Sequence, residues 1–207
     1  MWIGNGTKAC NTVGTSTDAG YPEHAFNWDV ATRVVAKLRA AGATVVGGDI
    51  AEDAVQATAA EITAAGGTAR ARRTDVTSRE QVDALIDGAK AEFGRVDIVG
   101  NIAGVPHNKM VADCTDEEFE RILAINLKSV FYGCQAAIRH MVPQGSGSII
   151  NISSRAGFVG VPGSGHYAAA KAAVNSLTMT FARELGPRIR VNCVMPGAVP
   201  TEIMMTA

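Results

Sequence analysis

Tyr167 and Lys171 stand four residues apart in Tyr167-Ala-Ala-Ala-Lys171, a spacing that puts both on one face of a helix. A free phenol titrates near pH ~10, and an ammonium one turn away favours the phenolate. A tyrosine so placed can pass a proton close to neutral pH. Taken alone, the pattern equally suits an amphipathic helix with an exposed Tyr and Lys. Its surroundings add weight. Val174, Leu177, Thr178, Phe181 and Leu185 form a buried stripe, and Lys171 falls on its edge, where a lysine needs a partner or a function. Ser154 lies thirteen residues before Tyr167, at the end of an apolar strand. Its hydroxyl is placed to hold a substrate oxygen; ordinary strand-end turn chemistry is the plain alternative for Ser153 and Ser154. Asn126 falls inside a helix stripe of Phe119, Ile122, Leu123 and Val130. A buried amide without partners is costly, so Asn126 holds a neighbouring backbone group or orders a water in a site.

These residues need a scaffold, and the chain alternates short β-branched runs with helical stretches. Strands are expected at Ala43–Val46, Thr68–Arg73 (more polar, hence an edge), Val96–Val99, Ser148–Ile152 and Ile189–Val194. Helices are expected at Glu52–Ala65, from a Ser78–Gln81 capping box through Val82, Leu85, Ile86, Ala89 and Phe93, from a Thr115–Glu118 cap to about Met141, and over Tyr167–Gly186. Such alternation predicts an α/β fold: a Rossmann-like, doubly wound parallel sheet with helices on both faces, in one domain. Ligands of these sheets bind at the carboxyl ends of the strands. That edge holds Asp49, Asp75, Asn101 to Gly104, Ser153, Ser154 and the residues from Pro196 onward.

The chain has 207 residues, of which 47% are hydrophobic and 19% charged, a balance that excludes a disordered tail. A net charge of −1 gives no basic excess for nucleic acid or an anionic membrane. No apolar run approaches the ~18 residues of a membrane helix, and no signal peptide is recognisable. Cys10, Cys114, Cys134 and Cys193 are scattered without a C-x-x-C pair. They read as free thiols of a cytoplasmic protein, with no zinc site.

The constellation resembles the short-chain dehydrogenase/reductase family in its classical form. Asn126, Ser154, Tyr167 and Lys171 match its spacing, Asn101-Ile-Ala-Gly104 its N-x-A-G turn, and Pro196-Gly-Ala-Val-Pro-Thr201 its P-G-x-x-x-T segment. Asp75-Val76 is similar to its adenine-contacting pair. The resemblance implies a nicotinamide-dependent oxidoreductase that interconverts a secondary alcohol and a ketone. Tyr167 is then the general acid/base, Lys171 its partner and a ligand of the nicotinamide ribose, Ser154 the group polarising the substrate oxygen, and Asn126 the anchor of a relay water. Asn101, Ala103, Gly104, Pro196, Gly197, Val199 and Thr201 complete the cofactor site, the last two beside the carboxamide. Asp49 closes the second strand of the family pattern, where an acid accepts from ribose hydroxyls and repels a 2′-phosphate; this favours NAD over NADP. A D-x-x-E helix cap with Glu52 is its alternative role. A homodimer or homotetramer built on the long helices is implied.

The two ends depart from the family. Its opening turn, T-G-x-x-x-G-x-G, falls by spacing on His24–Ala31, which contains no glycine and carries Trp28 and Asp29. A shifted placement uses Lys8–Val13 as the strand and Gly14–Gly20 as the loop. Residues 1–30 are therefore expected to be an atypical N-terminal segment, and 31–207 the Rossmann-like domain, incomplete at its C-terminus. A non-catalytic homologue that folds and oligomerises without holding dinucleotide is the alternative. Among lesser signals, His107, Arg155, Phe158 and His166 fall near the inferred site, His140 near the negative pole of the long helix, and Gly145–Ser148 reads as a flexible turn.

Overall fold

The computed structural model describes residues 42–197, and those residues form alternating strands and helices. Strand β1 (Thr44–Asp49) leads to α1 (Glu52–Ala64), and β2 (Thr68–Arg73) to α2 (Arg79–Phe93). Strand β3 (Ile98–Asn101) is followed by α3 (Asp116–Leu123), a wider π turn (Ala124–Lys128) and α4 (Ser129–Gln144). Strand β4 (Gly147–Ile152), helix α5 (Gly165–Leu185) and strand β5 (Ile189–Val194) complete the described chain. Among the described residues all pairings are parallel, β1 with β2 and β3–β4–β5 in that order. Helix α2 packs against both β1 and α4 and so ties the two groups of strands together.

Helices cover both faces, as two adjacent glycines show. Successive strand residues point to opposite faces. A Cβ on Gly47 would lie 3.2 Å from Val55 of α1, whereas one on Gly48 would strike Leu85 of α2 and Thr74. Helix α1 therefore lies on one face and α2 on the other. Helices α4 and α5 share a core with α2: Val82, Ile86, Val130, Cys134, Ala137, Met141, Ile149, Val174 and Phe181 form one buried cluster. Fully burying a side chain of this size is worth about 1.5–3 kcal/mol.

Caps and turns refine the expected boundaries. Thr115 and Glu118 form the full reciprocal capping box of α3. Ser78 caps α2 by accepting from Gln81 N–H, but the Gln81 carboxamide accepts from Asp75 N–H at 2.8 Å instead of closing the box. The third strand starts two residues later than expected, at Ile98, because the Gln144 carboxamide takes both backbone groups of Val96, accepting from its N–H at 3.3 Å and donating to its carbonyl at 3.2 Å. Phe119, expected in the buried stripe, is 40% exposed. His140 pairs with Asp87 at 2.6 Å rather than with the helix end. Gly145 (φ +75°) is the left-handed cap of α4, a conformation that favours glycine, and Gly147 and Ser148 already belong to β4.

Candidate active site

The carboxyl ends of the strands carry the polar residues expected there. Asp49 ends β1, exposed, with Oδ1 accepting from Ala51 N–H at 2.9 Å; this is an Asx turn, and α1 has no side-chain cap. Its register partner on β2 is Arg73. Asp75 follows β2. Its Oδ1 accepts from the Thr77 hydroxyl at 2.7 Å and the Thr77 N–H at 2.9 Å, bonds that hold its carboxyl below the usual range. Val76 is half-buried against the core shared by α2, α4 and α5.

Asn101 ends β3 and is joined to its register partner Asn151, its carboxamide N–H donating to Asn151 Oδ1 at 2.8 Å. Asn151 in turn donates to Thr178 Oγ1 at 3.0 Å, and the Thr178 hydroxyl donates to Val174 O at 2.8 Å. Cys134 lies 3.5 Å from Asn151 Oδ1, and burial pushes its thiol up to about 11. This polar chain ties β3, β4 and α5 into one rigid body beneath the site. A satisfied buried network of this kind specifies a single arrangement.

Asn126 is fully buried at the centre of the π turn. Its Nδ2 donates to Ile122 O at 3.2 Å, taking a carbonyl four residues back that would normally serve the helix ladder. The same amide grips Val105 at both ends: Nδ2 donates to Val105 O at 3.1 Å and Oδ1 accepts from Val105 N–H at 3.2 Å. A side chain inserted into the ladder is a recognised cause of such a widening. The expected continuous helix is therefore interrupted where a functional residue was inferred, a common place for a π turn.

Lys171 is only 3% exposed, so it is buried rather than at the edge of its stripe. Its Nζ donates to Ile152 O at 2.9 Å and lies 5.7 Å from the centre of the Tyr167 ring. Burial pulls the ammonium down to about 8. Gly104 packs against it: a Cβ there would stand 2.8 Å from Asn126 Oδ1 and 3.3 Å from Lys171 Nζ. The backbone of the Asn101–Gly104 turn can approach both groups only because residue 104 lacks a side chain. Lys171, Asn126 and Gly104 thus meet at one point, with the Tyr167 ring beside Lys171.

Ser154 is half-buried and accepts from Ala156 N–H at 3.1 Å, opening a single turn at Arg155–Gly157. Ser153 acts elsewhere, its hydroxyl donating to Lys171 O at 2.8 Å and so fastening β4 to α5. Pro196 O accepts from Arg155 N–H at 3.0 Å, which brings Pro196 and Gly197 beside the Ser154 turn. Val199, Thr201, Cys10 and the alternatives for the glycine-rich turn fall outside the described residues. Arg155 and Phe158 point to solvent, Phe158 at 77% exposure. His107 and His166, by contrast, meet each other. That pairing across 59 positions carries no sequence signal.

The structure suits a dinucleotide on its own terms. An ammonium has three donors, and Lys171 gives one to Ile152 O; among the described residues it has no other acceptor. A buried cation with donors to spare fits the vicinal hydroxyls of a ribose. The described residues include no group of three or more His, Cys, Asp or Glu able to hold a metal, and no helix among them is long and apolar enough to cross a membrane.

Residues 30–207 match the family described as short chain dehydrogenase. The chain is 36% identical over 161 residues to a 3-oxoacyl-acyl-carrier-protein reductase of Thermotoga maritima, covering 77% of this chain and 65% of the relative. It is 42% identical over 168 residues to the 3-alpha-(or 20-beta)-hydroxysteroid dehydrogenase of Mycobacterium tuberculosis, covering 81% and 64%. The chain therefore spans slightly less than two thirds of these relatives. Among solved structures, an NAD+-bound xylitol dehydrogenase superposes with a TM-score of 0.74 at 34% identity, covering 79% of this chain and 64% of that one.

Proposed function

The chain belongs to the short-chain dehydrogenase family, and from that premise we propose that it interconverts a secondary alcohol and a ketone with a nicotinamide dinucleotide. The observation that carries this reading is the buried Lys171 ammonium, held beside Gly104 and Asn126 and one turn from Tyr167. When bound, the dinucleotide supplies or accepts the hydride. In the oxidising direction Tyr167 takes the hydroxyl proton as general base, and in the reducing direction it returns one. Lys171 holds positive charge beside the phenol and offers donors to the nicotinamide ribose. Ser154 donates to the substrate oxygen and orients the carbon that gains or loses hydride. Asn126 keeps the Val105 backbone fixed beside them and anchors a water through which the proton reaches solvent.

Asp75 and Val76 are assigned to the adenine, Asn101, Ala103, Gly104, Pro196 and Gly197 to the rest of the cofactor site, and Val199 and Thr201 to the carboxamide. Asp49 is assigned to the adenosine ribose, which makes NAD the preferred cofactor over NADP. Arg73 beside it moderates the repulsion of a 2′-phosphate, so both cofactors belong in the test. The proposal includes a domain over 31–207, a homodimer or homotetramer built on the α3–α4 segment and α5, and a reducing cytoplasm. The free thiols of Cys114, Cys134 and Cys193 support that location.

Tyr167→Phe tests the chemistry directly. It removes one hydroxyl and leaves the ring. With NADH and a panel of ketones, turnover should fall by about 10²–10⁴-fold, the usual worth of general acid–base catalysis, while thermal stability stays within about 0.5 kcal/mol. Undiminished turnover in this variant overturns the assignment.

A further inference from the structure

The loop after β3 passes the start of α5, and two histidines join them there. His107 Nδ1 and His166 Nε2 share a hydrogen bond, with the rings edge to face and their centres 4.6 Å apart. Two residues further on, Lys109 N–H donates to Gly163 O at 2.7 Å. Two residues earlier, Val105 is gripped by Asn126. The loop thus bridges the Asn126 turn and the helix that carries Tyr167, and the histidine pair is its side-chain bond to that helix.

Counting protons shows how the bond behaves. The neutral pair has two protons, and one of them lies in the bridge. The other has two places to go. His107 Nε2 faces Glu118 Oε1 at 3.7 Å. His166 Nδ1 is buried without a hydrogen-bond partner among the described residues, on a side chain 4% exposed. An N–H is favoured toward a carboxylate and penalised where it is buried and unpaired, so the second proton sits on His107 and His166 donates the bridge. A third proton has only His166 Nδ1 left. The resulting imidazolium would be buried, unpaired and in the first turn of α5, where the helix dipole opposes positive charge. Burial and the neighbouring His107 accordingly hold His166 below its ordinary value, with Glu118 acting in the opposite sense. Glu118 gives the pair limited help because Lys109 already engages both its oxygens, at 2.7 and 2.8 Å. Asp113 and Cys114, from the turn before α3, act on Lys109.

We propose that His107 and His166 are positioning residues: a neutral clasp that holds residues 104–109 against the Tyr167 helix and opens when the pair takes up a third proton in acid. A histidine depressed in the folded state binds fewer protons than in the unfolded chain. The clasp's contribution is therefore fully present above pH ~6.5 and lost as pH falls below it.

Amide hydrogen exchange on the cofactor-free chain tests this, independently of any oxidoreductase activity. The probes are the Val105 and Lys109 amides, compared at about pH 7.5 and about pH 5 after correction for the intrinsic rate. A companion variant, His107→Asn with His166→Gln, replaces the bonded nitrogens by carboxamides that do not titrate. Protection should fall by ~10-fold or more in acid in the native chain and stay level in the variant. Protection that is pH-independent in the native chain, or lost equally in both, overturns the proposal. If the variant does not fold, ring-proton titration of the native chain decides. The clasp requires His166 to titrate below ~6.5 together with a shift at His107; independent titration of His166 near ~6.5 overturns it.

Discussion

Lys171 shows what the site costs the fold. Its ammonium is buried with one carbonyl partner, and burial lowers it from 10.5 to about 8. At about 1.4 kcal/mol per tenfold change in proton affinity, carrying that charge costs about 3 kcal/mol. Lys171→Met keeps a long apolar stem and removes the charge, but it leaves Ile152 O without its donor, a loss of about 1 kcal/mol. The variant is therefore expected to be more stable than the native chain at pH 7, by about 1–2 kcal/mol, and devoid of turnover. The penalty is relieved as Lys171 loses its proton. Native stability thus rises between pH 8 and 10.5, and the gap between the two chains narrows over that range. Urea denaturation at neutral and alkaline pH measures both effects; a variant less stable at pH 7 contradicts this account. The residue types and the four-residue spacing of Tyr167 and Lys171 were legible in the sequence because both lie on one helix face. The full burial of Lys171 was not, because it depends on Gly104 and Asn126, which arrive from β3 and the π turn.

At the scale of elements, the site depends on how closely α4 crosses β3. A Cβ on Gly133 would overlap the Asn101 carboxamide, and Asn101 cannot retreat because Asn151 holds it at 2.8 Å. Gly133→Ala improves helix propensity by about 1 kcal/mol, yet overpacking a rigid contact costs about 1–3 kcal/mol. The expected result is net destabilisation, read as a lower midpoint in urea. A variant as stable as the native chain, or more so, would show that the contact yields. Element types followed from periodicity: β5 falls where β-branched residues alternate, and α2 where Val82 and Ile86 recur. The break in the long helix did not follow, since a π turn leaves no trace in a 3.6-residue pattern. It arises from Asn126 capturing Ile122 O and Val105 together. For the same reason the partnership of Asn101 with Asn151 was hidden: strand register is a tertiary fact, and only the approach of β3 to β4 pairs the two amides.

The whole molecule gathers these parts at one edge. Parallel strands deliver Asp49, Asp75, Asn101 and Ser154 to their carboxyl ends, and two neighbouring helices packed on one face bring Lys171 and Asn126 to the same place. The strand–helix alternation made that edge legible in advance, although the joining of the two groups of strands through α2 depends on packing that no local pattern records. The central claim is that this edge holds a nicotinamide dinucleotide, with Asp49 choosing between its two forms. Calorimetric titration of the purified chain with NADH and NADPH in parallel tests it most directly. The account predicts saturable binding of NADH, weaker binding of NADPH, and a loss of that preference in Asp49→Ala. Failure of both dinucleotides to bind would contradict it.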